Sequence, residues 1–416
     1  MSVSLLTLTQ IFARIGFLSF GGPAAQIALM HRELVEERTW LDEQTFLRAL
    51  SFTMLLPGPE AMQLATYAGW RLRGVFGGLI AGLLFIVPGA VVVLALAVAY
   101  AYWGTLPVVD AVFLGVKAAV VAIVIEALLK VSRRALKGPA HWVIAGLSFL
   151  SIFILGLPFP AIIVLAAFWG AWAGGGQVDN EVPLPQPGGT GRTVVLWLTL
   201  WLSPIAVLWA LDAQMLTEIA IFFSKLAVVT FGGAYAVLAY MTQEVVVDRG
   251  WLDIAEMMDG LGLAETTPGP LILVTEFVGF LAGFRDGGLP LALLSAAVTL
   301  WVTFVPCFLW IFAGAPYLDW ISARPRLTGA LAAITAAVVG VILNLSIWFA
   351  AHVIFAQVHS VTFGPFRTIA PDPVSLDPVA LGLAAGAAFA LLVLGWPLFR
   401  TLGVAGLLGA VTAFLP

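Results

Sequence analysis

Four apolar stretches of this chain are broken by glycine and proline where an uninterrupted helix would be the natural solution, and the breaks come in two equivalent pairs. "FGGP" at Phe20 recurs as "FGGA" at Phe231, and "PGP" at Pro57 recurs at Pro268. Both recurrences lie 211 positions on, and Phe12, Met30, Glu33, Arg38, Trp40, Leu41 and Asp42 recur at the same distance as Phe223, Met241, Glu244, Arg249, Trp251, Leu252 and Asp253. Further along the spacing drifts to 218, where Pro88 meets Pro306 and the run from Ala118 meets the run from Ala336. The chain reads as an internal duplication.

The breaks sit in a bilayer. Of the 416 residues 61% are hydrophobic and only 10% charged, against about 25% charged in a soluble domain. Apolar runs such as Val75 to Trp103, Leu106 to Leu129, Thr193 to Leu211, Leu289 to Ala315 and Leu327 to Ile354 reach the roughly 20 residues of a spanning helix. None has the ten-residue alternation of a barrel strand. The N-terminus lacks a basic region and a cleavage site, so it is expected to belong to the mature first helix. A single cysteine, Cys307, leaves no disulfide framework and no cysteine metal site.

A Gly/Pro-rich polar stretch divides the copies and reads as a tether. The expected organisation is a first repeat over 1–173, a linker over 174–192, an unpaired helix over 193–211 and a second repeat over 212–416. Each copy holds two broken segments, two long spans and a closing hydrophobic pair, an even number of crossings. The one unmatched span then turns the second copy over. The fold class is an all-α polytopic membrane protein, an inverted internal repeat built around discontinuous helices. Positive residues agree: Arg71, Arg73, the run from Lys130, Arg192, Arg324, Arg326 and Arg400 fall on one side of such a scheme, with mainly Arg285 and Arg367 opposite. The basic side, and with it the N-terminus, is expected to be cytoplasmic.

A Gly-Gly-Pro or Pro-Gly-Pro step starts a new helix whose first N–H groups have no intrahelical partner. Such an end carries about half a positive charge and suits an oxyanion. Kinks and close-packing glycines explain any one break as well; four breaks in equivalent pairs favour the anion. Candidate binding groups are therefore Gly21, Gly22, Ala24, Gly58, Gly232, Gly233 and Gly269. Arg14 and Lys225 are repeat equivalents just before the Gly-Gly breaks, as are the hydroxyls of Ser19 and Thr230, and all four join the list. Snorkelling to the surface is the competing account of the two cations. Lys117, in the middle of a span, is expensive unless used, whereas Glu126 has Lys130 one turn away to pair with. Glu60, directly after Pro59, and Glu276, in the second broken pair, are candidate proton carriers. "HRELVEERTW" from His31 reads as a solvated connection.

These motifs carry a resemblance. "FGGP" with "RTWLDEQTF", then "LLPGPEAMQLATYAGWRLRG" and "GVKAAVVAIV", followed by "FGGAYAVLAYM", "RGWLD" and "TTPGPL", resemble the signature of the chromate ion transporter (CHR) family over nearly the whole chain. The resemblance implies a long-chain, two-domain member with about thirteen transmembrane segments and a periplasmic C-terminus. It further implies export of chromate through the bacterial inner membrane, chromate resistance and dependence on the proton motive force, with sulfate as the look-alike substrate. Beyond chromate, sulfate, protons and lipid, the expected associations are a homodimer at most, with no nucleic acid, metal or cofactor. The second copy departs from the first at Ala234 for Pro23 and Leu271 for Glu60. A transporter of another oxyanion is the main alternative. An intramembrane enzyme is disfavoured by four scattered histidines and the lack of an HExxH-like cluster, and no GxxxxGK[ST] loop is present for ATP.

Topology separates the linker from the unpaired span. Deleting Thr193 to Leu211 should invert the second copy and abolish transport, whereas shortening the tether between Gly176 and Gly191 should leave it near normal. Reporter fusions at the C-terminus, read for cytoplasmic or periplasmic activity, check both.

Overall fold

The computed structural model describes residues 3–175, 188–231, 234–364 and 366–412. Helices dominate. In chain order they are α1 (Leu5–Leu18), α2 (Gly22–His31), α3 (Glu43–Thr53), α4 (Glu60–Trp103), α5 (Pro107–Ala135), α6 (Pro139–Phe153), α7 (Phe159–Ala173) and α8 (Thr190–Ala210). There follow α9 (Gln214–Val229), α10 (Ala234–Thr242), α11 (Ile254–Thr266), α12 (Val274–Gly314), α13 (Leu318–Ser322), α14 (Pro325–Ile354), α15 (Pro378–Ala388) and α16 (Leu398–Thr412). Short π-helical turns, Arg32–Glu36 and Gln243–Asp248, follow α2 and α10, the same unusual turn at the same repeat position. Five stretches are long and apolar enough to cross a membrane, within α4, α5, α8, the run from Leu271 to Ile321, and α14, and several shorter apolar helices accompany them. The chain is a multi-pass membrane protein.

One element departs from an all-helical expectation. Between α14 and α15 lies an antiparallel hairpin, β1 (Val358–Phe363) and β2 (Phe366–Pro371), pairing Val358 with Pro371 and Thr362 with Arg367. Three residues separate α5 from α6 in the first copy, and twenty-three separate α14 from α15. The hairpin belongs to the second copy alone.

Two compact units emerge, each drawing on both sides of the linker. The first comprises Met1–Val98, Gly176–Ala234 and Thr267–Leu327; the second comprises Ala99–Gly175, Tyr235–Thr266 and Thr328–Pro416. Buried phenylalanines, among them Phe12, Phe46, Phe85, Phe222 and Phe277, fill the first. There α8 buries Trp197 against Phe308 and Phe312, and Trp201 donates to the Ser224 hydroxyl at 3.2 Å. Most of its other face is exposed, as befits a helix facing lipid. In the second unit small residues let helices touch: Gly115 meets the Ala405 carbonyl, Gly170 the Gly329 carbonyl and Gly340 the Ala145 carbonyl.

The longest helices are not single rods. In α4 the backbone leaves helical geometry at Arg73 (φ −144°, ψ 28°) and Gly74 (φ 64°, ψ −157°), and in α12 it does so at Gly287 (φ −149°, ψ 23°) and Gly288 (φ 68°, ψ −163°). Each is a reversal. A Cβ on Gly69 or on Gly77 would run into the other's carbonyl oxygen, and a Cβ on Gly283 or Gly279 would run into Ser295 or Thr299. Residues eight or more apart on a straight helix lie at least about 12 Å apart along the axis, so the two arms must be antiparallel. The long apolar runs read from the sequence, starting at Val75 and Leu289, are the returning arms of these hairpins.

Substitution separates the tight glycines from ordinary ones. Gly69→Ala and Gly283→Ala should each lower the thermal unfolding midpoint of the detergent-solubilised protein by several degrees, the cost of overpacking being about 1–3 kcal/mol. Gly382→Ala in α15, where a Cβ meets nothing within 4 Å, should leave the midpoint unchanged or raise it slightly.

Candidate functional site

The four breaks are held together inside the first unit by hydrogen bonds exchanged between the copies. α1 ends at Ser19 (φ −78°, ψ 69°) and α9 at Thr230 (φ −74°, ψ 82°), equivalent residues in nearly the same conformation. The N–H of Gly269 donates to the Ser19 carbonyl at 2.8 Å, and the N–H of Gly58 donates to the Thr230 carbonyl at 2.7 Å. Since 230 minus 19 and 269 minus 58 both give 211, the two bonds are one contact made twice with the roles of the copies exchanged. A third pair obeys the same rule at the offset of 218. Gly89 lies against Gly269, and Cys307 lies against Gly58. Such reciprocity is the mark of a two-fold relation.

Backbone need explains the residue types. A broken helix leaves carbonyls without partners in a medium that offers no water; here the Ser19 and Thr230 carbonyls are satisfied by the opposite Pro-Gly-Pro step. Gly58 (φ +120°) and Gly269 (φ +88°) occupy backbone regions that a side chain would strain, as do Gly21 (φ +86°) and Gly22 (φ +78°). Two buried amides complete the knot: Gln26 Nε2 donates to the Gly269 carbonyl at 2.7 Å and Gln63 Nε2 to the Pro57 carbonyl at 2.7 Å. The Oε1 atom of each is buried without a hydrogen-bond partner. Neither glutamine was singled out from the sequence, although a lone amide within a turn of each break was the available signal.

The candidate residues fall as follows. Arg14, Ser19, Gly21, Gly22, Ala24, Gly58, Glu60, Lys225, Thr230, Gly269 and Glu276 all belong to the first unit and Lys117 to the second, while Gly232 and Gly233 lie outside the described residues. α2 begins at Gly22 with Pro23 in its first turn and no side-chain cap, and Ala24 is exposed. The hydroxyls of Ser19 and Thr230 each donate to the carbonyl four residues back, at 2.6 Å. A hydroxyl has one proton, so in this conformation neither donates to an anion. Arg14 is half exposed and lies 3.5 Å from Glu33, which Arg38 also holds. Its charge is compensated within the protein. Lys225 is exposed. Lys117 is nearly buried, 3.3 Å from Asp259, whose other oxygen accepts from the Tyr100 hydroxyl at 2.7 Å. Glu126 pairs with Lys130 at 2.7 Å.

Glu33 corrects the reading of its segment as a solvated connection. Its side chain is wholly buried, and the equivalent Glu244 pairs with Arg249 at 3.6 Å. The loop is an ion-paired buckle, which the recurrence of Glu33 and Arg38 had signalled. At the exposed end of α2, His31 sits between Glu43 and Glu36, and the hydrogen bond to Glu43 chiefly raises its pKa above the ordinary value.

The second hairpin differs from the first in chemistry. A turn of 3₁₀ helix, Leu271–Leu273, precedes α12, so the helix begins at Val274 rather than at Leu271 and the structural offset becomes 214, as at the two reversals. Each half-helix then carries one carboxylate in its first turn, Glu60 in α4 and Glu276 in α12. The facing arm of α12 presents Ser295, Thr299 and Thr303, all buried, where α4 has Gly77, Ala81 and Phe85. Gly283 abuts Ser295 and Gly279 abuts Thr299; one turn further, the register sets Thr275, next to Glu276, opposite Thr303. Glu276 Oε2, Thr303 Oγ1 and Ser295 Oγ are buried without hydrogen-bond partners.

A duplicated multi-pass membrane protein with broken helices knotted at its centre is thus the class that fold and site define. The chain belongs to the chromate transporter family, whose sequence profile matches residues 6–171 and again 217–410. It is 30% identical over 347 residues to the chromate transport protein of Cupriavidus metallidurans, covering 82% of this chain and 81% of that one. It is 33% identical over 348 residues to the chromate transport protein of Pseudomonas aeruginosa, covering 80% and 79%. An uncharacterized transporter of Bacillus subtilis, YwrB, is 31% identical over 168 residues, 39% of this chain but 84% of its own length. No solved structure matches.

The buckle should be structural and its two cations unequal. Glu33→Gln takes the buried carboxylate from Arg14 and leaves Arg38 only Glu37 as an ion-pair partner, and should cost about 1–3 kcal/mol, seen as a fall in the thermal midpoint. Arg14→Gln, losing a half-exposed partner, should cost no more than about 1 kcal/mol.

Proposed function

We propose that this protein is a secondary transporter that exports chromate across the bacterial inner membrane and so confers chromate resistance. Family membership and the names of its relatives support the substrate. The observation that carries the mechanism is the reciprocal Gly269–Ser19 and Gly58–Thr230 pairing, which supports two copies related by a pseudo-two-fold axis in the membrane plane, the arrangement suited to alternating access. The hairpin tips agree with inversion: one carries Arg71 and Arg73, the other Arg285 and Asp286. Arginine excess at one tip and neutrality at the other suit a cytoplasmic and a periplasmic face, with the N-terminus inside, the C-terminus outside and about thirteen crossings.

Chromate and sulfate are tetrahedral dianions. The uncapped start of α2, with Gly21, Gly22 and Ala24, offers N–H groups and a positive helix end to such an ion, beside the Gly58 and Gly269 breaks; Gly232 and Gly233 are its equivalents in sequence. Lys225 adds positive potential, and Ser19 and Thr230 become donors once a rotamer change frees their protons. Membrane potential, negative inside, drives a dianion outward by about 2.3 kcal/mol per charge per 100 mV. Glu60 and Glu276, each in the first turn of a half-helix, compete as carboxylates for the positive end an anion needs and take up protons when it is occupied. The buried hydroxyls on the returning arm of the hairpin that holds Glu276 have no counterpart on that arm in the first copy, which supports Glu276 as the principal coupling group.

Purified protein in liposomes should move labelled chromate under an imposed potential, with sulfate competing. Glu276→Gln should still bind chromate while losing the response of transport to a pH gradient, and Lys225→Gln should lower affinity at least tenfold, about 1.4 kcal/mol. Transport of sulfate but not chromate would reassign the substrate; transport of neither would overturn the reading.

A further inference from the structure

The hairpin found only in the second copy covers a cavity of about 240 Å³ within the second unit. Its polar lining is Arg367 and Thr368 of β2, Ser360 of β1, Asn344 of α14, Gln243 of the π-turn after α10 and Thr242, whose hydroxyl donates to the Leu238 carbonyl, with Trp348 on one wall. No Asp or Glu lines it. β2 is fixed there by its backbone: the Arg367 N–H donates to the Ile154 carbonyl, just past α6, at 2.6 Å.

We propose that this cavity is a second oxyanion-binding site, a vestibule on the hairpin side of the membrane, distinct from the knot of broken helices. Among the described residues, none of the side chains of Arg367, Asn344, Gln243, Ser360 and Thr368 has a hydrogen bond or ion pair to the rest of the chain. Arg367 and Ser360 share one face of the hairpin and, with Asn344 and Gln243, line one cavity without protein partners, which suits an acceptor-only ligand; an unpaired guanidinium selects a doubly charged oxyanion over a neutral solute. At about 30 Å³ per water, the space admits such an ion together with part of its hydration shell. At the position of Asn344 the first copy has Glu126, which would repel an anion; the amide removes that charge where the hairpin has been added. The vestibule raises the local concentration of anion at one mouth, by the focusing that a cleft lined with one sign of charge produces. Its assignment to the exit side rests on the topology proposed above.

Inorganic sulfate is the probe, since it does not oxidise thiols. The native Cys307 is buried, so Ser360→Cys in the full-length protein gives one accessible thiol in the cavity, and sulfate should slow its modification by a charged thiol reagent. Adding Arg367→Gln should weaken that protection at least tenfold in sulfate concentration, and Arg367→Lys should restore part of it. Protection unchanged by Arg367→Gln, or no protection at all, overturns the site. A protein that carries no chromate in liposomes yet shows Arg367-dependent protection keeps the vestibule and sinks the transport reading instead.

Discussion

The structure turns on two hydrogen bonds that neither copy can make alone. Breaking a helix inside a bilayer strands carbonyls where each unsatisfied group costs several kcal/mol. Here the Ser19 and Thr230 carbonyls are met by the N–H groups of Gly269 and Gly58. That solution needs a donor in a backbone conformation only glycine adopts freely, flanked by prolines that end one segment and begin the next. Gly-Gly breaks and Pro-Gly-Pro breaks are therefore two sides of one joint, and the glutamines at 26 and 63 seal it.

The helical hairpins follow from the joint. A half-helix that begins at mid-membrane reaches the surface within about 13 residues at 1.5 Å each, and both hairpins reverse just there, at Gly74 and Gly288. The arms then close through glycine against glycine in the first copy and glycine against hydroxyl in the second. Symmetry fixes the backbone, and departures from it place the chemistry: a three-residue turn shifts the start of α12, and the buried Glu276 shares its hairpin with a ladder of hydroxyls on the returning arm that the first copy lacks.

Much of this architecture was legible. The breaks, the repeat and the starts of the returning arms at Val75 and Leu289 follow from Gly, Pro and apolar runs, because a bilayer leaves the backbone so few solutions. The pairings were not. Lys117 and Asp259 lie 142 positions apart and are not repeat equivalents, so no spacing announced them. Glu33 looked solvated because charge density in a short segment says nothing about which carboxylate turns inward. The start of α12 at Val274 was hidden because a constant offset cannot reveal where three extra residues are absorbed. The β-hairpin was missed because it has no counterpart in the first copy.

The reciprocal joint also has a consequence for how the chain is made. Ser19 emerges from the ribosome 250 residues before Gly269, and Gly58 emerges 172 residues before Thr230, intervals of about 9–50 s at 5–20 residues per second. Until then the first copy holds a carbonyl and an N–H inside apolar segments with no native partner. It must shelter them with provisional contacts, at the insertion machinery or in a loosely packed intermediate, and release them on arrival of the second copy. Biogenesis of this fold is thus an obligate meeting of an early half with a late one.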